Sequence, residues 1–242
     1  MSTTKIEWTE KTWNPITGCT KISDGCKNCY AENLAIRLKA MGTAKYANGF
    51  QITMHDNSLL EPLLWKRPTT VFVCSMSDLF HEQIPFSFID RIMDTILLTP
   101  QHRYQILTKR AERMADYFLS RKAPGNVWTG VTVENTESKK RIDILRSFYS
   151  PLHFLSCEPL LGDLGVLDLQ GIKWVIVGGE SGVKARKIEK QWVQNIMQQC
   201  KEQNVSFFFK QWGTWGEDGK KRNKKANGKT IDGTIYQAIP GI

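Results

Sequence analysis

Short apolar, β-branched runs alternate with amphipathic helical stretches along this 242-residue chain, and that alternation limits its folds more than any other feature. Val71-Phe72-Val73-Cys74 and Trp174-Val175-Ile176-Val177 are nearly continuous apolar runs. A strand with one wet face alternates apolar and polar residues. A strand covered on both faces does not, so these runs predict parallel strands between helices. Strands are predicted at 50–55, 70–75, 104–108, 127–133, 153–157, 174–177 and 206–210, with an eighth among residues 5–14. Ile89, Ile92, Met93 and Ile96 repeat at helical spacing, and Trp192, Ile196 and Cys200 recur every four residues. Each set describes one buried helix face. Residues 29–41, 58–66, 109–120 and 136–148 also read as helices. Repeated βα units predict an α/β fold, a TIM-like (β/α) barrel that is complete or incomplete. An open doubly wound sheet is the alternative. No linker divides the chain, so residues 1–213 read as one barrel domain and residues 214–242 as a short basic C-terminal appendage.

The predicted strands end in chemically capable residues. Strand 70–75 runs into Ser75-Met76-Ser77-Asp78, strand 104–108 into Lys109-Arg110, and strand 127–133 into Glu134-Asn135. Strand 153–157 runs into Glu158-Pro159, strand 174–177 into Gly178-Gly179-Glu180-Ser181-Gly182, and the last strand, ending at 209, into Lys210-Gln211-Trp212-Gly213. In parallel α/β architecture these ends share one rim, where active sites assemble. Asp78, Asn135 and Ser181 also suit helix caps. Capping does not explain Lys, Arg, Gln and Trp directly after strands. The glycine run lacks both the Walker and the dinucleotide-binding spacing.

Cys19, Cys26 and Cys29 lie in Trp13-Asn14-Pro15-Ile16-Thr17-Gly18-Cys19, then Cys26-Lys27-Asn28-Cys29-Tyr30-Ala31. Three thiolates this close suit a metal, yet structural zinc and ordinary ferredoxin clusters want four ligands. One position is then open, as a reactive centre requires. Gly18 and Gly25 each precede a cysteine and let the backbone curl round a centre. Zinc stays the rival, with His55, His81, Cys74 or Cys157 as its fourth ligand. Cys74 and Cys157 sit inside apolar runs, where buried free thiols are common. Six cysteines in a chain of this length do not make a secreted disulfide scaffold.

These residues resemble the signature of a phage- and prophage-associated, radical-SAM-like family of unknown function. The resemblance continues through Ser75 to His81, Leu107 to Arg110, Gly130 to Asn135, Glu158 to Leu161, Gly178 to Gly182 and Phe209 to Gly213. It implies a [4Fe-4S] cluster on Cys19, Cys26 and Cys29, with S-adenosylmethionine (SAM) on the fourth iron. It also implies an electron donor such as a flavodoxin or ferredoxin. The chain departs from the common Cys-x3-Cys-x2-Cys spacing by having six residues where three are usual. Its aromatic, Tyr30, follows the last cysteine, a placement similar to that in spore photoproduct lyase. On this reading Ser75, Ser77, Gly178, Gly179, Glu180 and Ser181 are candidates for the cofactor. Lys109, Glu134 and Glu158 are candidates for catalysis, with Arg110 and Lys210 on the same rim.

The formal net charge is +9. Lys220, Lys221, Arg222, Lys224, Lys225 and Lys229 crowd one short stretch, which fits either nucleic-acid phosphates or a solvated hairpin. Trp8, Trp13, Trp212 and Trp215 are available to stack on bases or to fill the core. No secretory signal and no apolar run approaching ~18 residues is present, so the expectation is a cytoplasmic protein off the membrane. The functional expectation is a radical SAM-type enzyme that modifies or repairs nucleic acid or a nucleotide. The alternative is a non-catalytic binding module stabilised by zinc or a cluster.

Overall fold

The computed structural model describes residue 4 and residues 6–241. Its strands are β1 (Lys11–Trp13), β2 (Ile16–Thr17), β3 (Thr53–Met54), β4 (Thr70–Val73), β5 (Arg103–Thr108), β6 (Val127–Thr132), β7 (Leu152–Cys157), β8 (Ile172–Gly178), β9 (Ser206–Gln211), β10 (Thr230–Ile231) and β11 (Thr234–Ile235). Its α-helices are α1 (Tyr30–Ala40), α2 (Phe86–Leu97), α3 (Ala111–Ser120), α4 (Lys140–Arg146), α5 (Lys190–Glu202) and α6 (Lys224–Asn227).

Seven strands form one sheet in the order β1-β4-β5-β6-β7-β8-β9. The order follows the chain without reversal. A doubly wound sheet has a switch point where the order reverses, so the incomplete TIM-like (β/α) arrangement holds and the alternative falls. The pairs β1–β4, β4–β5, β7–β8 and β8–β9 are parallel. The expected strand at 50–55 is not in this sheet. Only Thr53–Met54 pairs there, antiparallel to β2, and the sheet's first strand comes instead from residues 11–13. The expected helix at 58–66 is a set of short 3-10 turns, because Pro62 in the second of them cannot donate to a longer helical ladder.

Contacts divide the chain into two compact units. One holds the described residues up to Ile22 with Cys29–Gly130 and Ser147–Pro151; the other holds Ser23–Asn28, Val131–Arg146 and the described residues from Leu152 onward. In the first unit Trp13, Tyr104 and Ile106 are fully buried, and the Trp13 and Tyr104 rings pack at 5.9 Å. Helix α2 buries Ile89, Ile92, Met93 and Ile96, the face its periodicity predicts. In the second unit Trp174 packs between Phe154 and Phe208, at 5.7 and 5.9 Å. Helix α5 buries Val193, Ile196 and Cys200, while Trp192 stays half-buried. The outer side of β9 is bonded rather than open: Phe209 N donates to the Tyr236 carbonyl and Ala238 N to the Phe207 carbonyl. That closure protects an otherwise exposed strand edge.

Trp8, Trp13 and Trp212 are core residues, none more than 4% exposed, so they do not stack on a ligand. Trp13 Nε1 donates to the Ser58 carbonyl and Trp212 Nε1 to the Thr230 carbonyl, which satisfies both indole donors.

Candidate metal and cofactor site

In the first unit, the end of β4 and the loop carrying Cys19 are laced together. Cys74 takes the left-handed conformation, with φ of 62°, and the chain turns sharply after β4. The turn presents Ser75, Met76 and Ser77 to the neighbouring loop. Ser75 Oγ and Met76 N both donate to Asn14 Oδ1, Ser77 Oγ donates to the Gly18 carbonyl at 2.6 Å, and Gly18 N donates to the Met76 carbonyl. Gly18 has φ of +86°, and a Cβ there would lie 2.2 Å from the Gln51 carbonyl oxygen, so only glycine fits. Cys19 N then donates to the Phe50 carbonyl. Cys29 stands just before α1 and packs with Ala31, Ala35, Tyr46 and Met76. The next residue ties that helix to β4, with Tyr30 Oη donating to the Ser75 carbonyl at 2.6 Å.

Arg110 governs the Cys19 loop. It is 5% exposed and donates in three directions. Nε reaches Glu82 at 2.9 Å, Nη1 reaches Asp78 at 3.3 Å and Cys19 Sγ at 3.6 Å, and Nη2 reaches the Thr20 carbonyl and hydroxyl at 3.3 and 2.9 Å. Burial alone would lower the Arg110 pKa; Asp78 and Glu82 outweigh it and raise the pKa, so the guanidinium stays charged. Arg110 thus sets a fixed positive charge 3.6 Å from the Cys19 sulfur. Asp78 is itself fixed by the Thr108 hydroxyl at 2.6 Å, Lys109 N at 3.1 Å and Phe80 N at 3.0 Å.

In the second unit, a carboxylate does the corresponding work for Cys26. Residues 23–28 form a tight turn in which Cys26 N donates to the Ser23 carbonyl and Ser23 Oγ lies 3.6 Å from Cys26 Sγ. Asn28 Nδ2 donates to Glu180 Oε2 and to the Lys184 carbonyl, both at 3.0 Å. Arg186 grips Glu180 through Nε at 3.0 Å and Nη2 at 2.7 Å, and its Nη2 also reaches the Asp24 carbonyl at 2.9 Å. Arg186 N donates to the same carboxylate at 2.8 Å. Burial pushes the Glu180 pKa up, but these bonds win and hold it below the ordinary carboxylate range.

The other expected residues fall as follows. Gly179 packs where a Cβ would meet the Trp212 carbonyl oxygen at 2.0 Å, and Gly178 lies against the Glu158 side chain. Glu158 is bound by Lys210 Nζ at 2.7 and 2.8 Å. Ser181 Oγ lies 3.5 Å from Gln211 Oε1. Glu134 is fully buried and takes Arg141 Nη1 at 2.9 Å. Cys19, Ser75, Ser77, Lys109 and Arg110 thus gather in the first unit, and Cys26, Glu158, Gly178, Gly179, Glu180, Ser181 and Lys210 in the second. Asn14, Thr20, Glu82 and Arg186 were not anticipated. Asn28, inside the Cys26–Cys29 spacer, was readable as a polar residue with a job, but its partner lies 152 residues away.

The donor set separates cleanly. Cys19, Cys26 and Cys29 are half-buried thiols; Cys74, Cys157 and Cys200 are buried, and burial pushes their thiols up, Cys200 to about 12. The suggested fourth ligands for zinc are otherwise engaged. His81 Nε2 bonds the Thr20 hydroxyl while its Nδ1 accepts from Gln83 N, and His55 Nε2 bonds the Thr17 hydroxyl. Among the described residues no group of three His, Cys, Asp or Glu side chains is drawn together as a metal site. Cys19, Cys26 and Cys29 match a soft metal in donor type and exposure.

A family model described as a protein of unknown function, DUF5131, matches residues 3–240. The chain belongs to the DUF5131 family. Among solved structures, the DUF5131 chain is similar to spore photoproduct lyase complexed with dinucleoside spore photoproduct, at 13% identity and a TM-score of 0.40, covering 77% of this chain and 59% of that one. It is also similar to a double mutant of that lyase with bound AdoMet and dinucleoside spore photoproduct, at 14% identity and a TM-score of 0.46, covering 79% and 61%. The DUF5131 chain spans about three-fifths of the length of these lyases. A comparison with curated proteins found no match. Among the described residues no helix is long and apolar enough to cross a membrane.

Proposed function

We propose that this protein is an iron–sulfur enzyme of the radical SAM type, with Cys19, Cys26 and Cys29 holding a [4Fe-4S] cluster. The observation that carries the reading is the donor set: three half-buried thiols at short spacing, set apart from three buried ones, with their loops held in place by Arg110 and Glu180. When bound, the cluster and SAM supply reductive cleavage of the sulfonium to a 5′-deoxyadenosyl radical. Arg110 keeps a positive charge against the Cys19 sulfur, and Asn28 and Arg186 hold the Cys26 turn. Ser75, Ser77 and the Gly178-Gly179-Glu180-Ser181 segment are the residues we assign to SAM. Lys109, Glu134 and Glu158, with Lys210, are assigned to the substrate. Its class is nucleic acid or nucleotide, from the basic charge and the phage link carried by the resemblance. A flavodoxin or ferredoxin is the electron donor of this reading, and the cytoplasm is its compartment.

Anaerobic reconstitution followed by iron and sulfide counts and a 5′-deoxyadenosine assay tests the reading. The expected result is a brown, oxygen-sensitive protein that cleaves SAM on reduction. Cys19→Ala abolishes cluster uptake and Cys200→Ala does not. A fully loaded cluster that leaves SAM intact, with and without oligonucleotide, overturns the enzyme and leaves a binding module.

A further inference from the structure

The basic stretch near the C-terminus folds back onto the loop that follows β8, within the second unit. Lys221 Nζ donates to the Val183 carbonyl at 3.0 Å, and Trp215 Nε1 to the Ala185 carbonyl at 2.8 Å. Gly182 N donates to the Thr214 hydroxyl at 2.9 Å, and that hydroxyl donates to the Gly182 carbonyl at 3.1 Å. The same loop also carries the Cys26 turn, because the Lys184 carbonyl accepts from Asn28. Three segments distant in sequence thereby form one run: residues 23–28, residues 182–187 and residues 214–225.

Lys27, Lys184, Lys220, Lys221 and Lys225 are all exposed along that run. Most acids beside it are paired, Asp218 with Arg222 at 2.6 Å, Glu189 with Lys187 at 3.0 Å and Glu180 with Arg186, while the exposed Asp24 makes no ion pair among the described residues and only adds to the negative charge acting on Arg186. Lys27, Lys184 and Lys225 make no ion pair among the described residues, whereas Lys220 lies beside Asp218, which accepts from its backbone N at 3.1 Å and feels its charge. Exposed lysines brought together from three distant segments suit a repeating anion whose bound counterions they release. Among the described residues of the run no exposed aromatic accompanies them: Trp215 is half-buried, with Lys221 over its ring at 5.7 Å. Contacts of this kind reach phosphates and not bases.

We infer that this run is a phosphate-binding track for a nucleic-acid strand, read through its backbone without regard to sequence, and that it leads to the Cys26 turn. The inference rests on the proposed function for the chemistry at the end of the track. Binding itself requires no metal, so it is measured on the full chain as purified. Fluorescence anisotropy with a labelled single strand of about 20 nucleotides, and with the matching duplex, compares the wild type with K184E/K220E/K225E and with K66E/R67E/K122E. Both triple variants remove the same charge; the second takes it from exposed residues of the first unit.

The first variant is expected to bind at least about tenfold more weakly, with the salt slope for the single strand reduced by about two. The second is expected to stay within about twofold of wild type. Circular dichroism melts check that both fold, and K184Q/K220Q/K225Q repeats the test without charge reversal. Equal loss in both triple variants means net charge alone, and overturns the track. So does an absence of wild-type binding at low salt, or binding to phosphatidylserine vesicles with none to oligonucleotide. Iron counts after reconstitution separate the two proposals. A wild type that takes up no cluster yet loses oligonucleotide only in K184E/K220E/K225E refutes the cluster and keeps the track.

Discussion

The loops that carry Cys19 and Cys26 are held by opposite chemistry. In the first unit a buried cation fans outward: Arg110 binds two carboxylates, two oxygens of Thr20 and the Cys19 sulfur. In the second a buried anion collects inward: Glu180 accepts from Arg186 and Asn28, and neither bond touches Cys26. The difference separates two jobs. Arg110 acts on the sulfur as well as on the loop, whereas Glu180 acts on the loop alone. Arginine suits the first job because its planar fork reaches several acceptors at once and keeps its charge when buried. Glutamate suits the second because a carboxylate is acceptor-only and here receives four donors.

Removing the cation produces the larger effect. Arg110→Met leaves Asp78, 7% exposed, without its counter-charge. Breaking one side of a buried pair costs about 3 kcal/mol, toward the low end because Asp78 keeps three other donors. Urea unfolding measures the loss, and alkylation followed by peptide mapping measures Cys19, whose labelling changes along with stability. A loss under about 1 kcal/mol shows that Arg110 is not the anchor of this loop.

Glu180→Gln keeps an acceptor oxygen but loses the charge, and the expected cost is about 2 kcal/mol, with Cys26 labelled faster and Cys19 unchanged. Acid sharpens the test. The folded Glu180 pKa is depressed, so the stability it contributes is complete above the unfolded value of about 4.3 and is lost as pH falls through the folded value. The gap in melting temperature between wild type and Glu180→Gln therefore narrows as the solution is acidified. A gap that stays constant through the acid range means the ionised carboxylate is not what holds the turn.

Sequence alone reaches the strands more readily than these two clusters. A strand covered on both faces writes its burial locally, which is why 104–108, 127–133 and 153–157 match β5, β6 and β7 to within a residue. Residues 50–55 mislead for the same reason. Phe50, Ile52 and Thr53 look strand-like, yet the carbonyls of Phe50 and Gln51 are pressed against the Cys19 loop, and only two residues pair. Arg110 is visible as a strand-end residue, but its reach to Cys19 spans 91 positions and carries no periodic signal. Arg186 is quieter still, since nothing in Lys184-Ala185-Arg186-Lys187 marks one basic residue as the partner of Glu180 and of the Asp24 carbonyl. Periodicity records burial against a continuous surface; a few bonds between distant loops leave none.

The smallest expected effect concerns Cys29, which neither Arg110 nor Glu180 contacts in the bonds described above. Its helix is tied to the end of β4 by the Tyr30 hydroxyl, and Tyr30 is 57% exposed, so water competes for that bond. Tyr30→Phe is then expected to cost about 0.5 kcal/mol, a change that melts barely resolve. Hydrogen exchange resolves it better, because the first turn of α1 loses its tether while the rest of the helix keeps its own ladder. Faster exchange there, with faster labelling of Cys29 and unchanged labelling of Cys26, fits three cysteines held by three separate devices. Cys26 responding as strongly as Cys29 contradicts that division, since Tyr30 and Ser75 belong to the first unit and the Cys26 turn to the second.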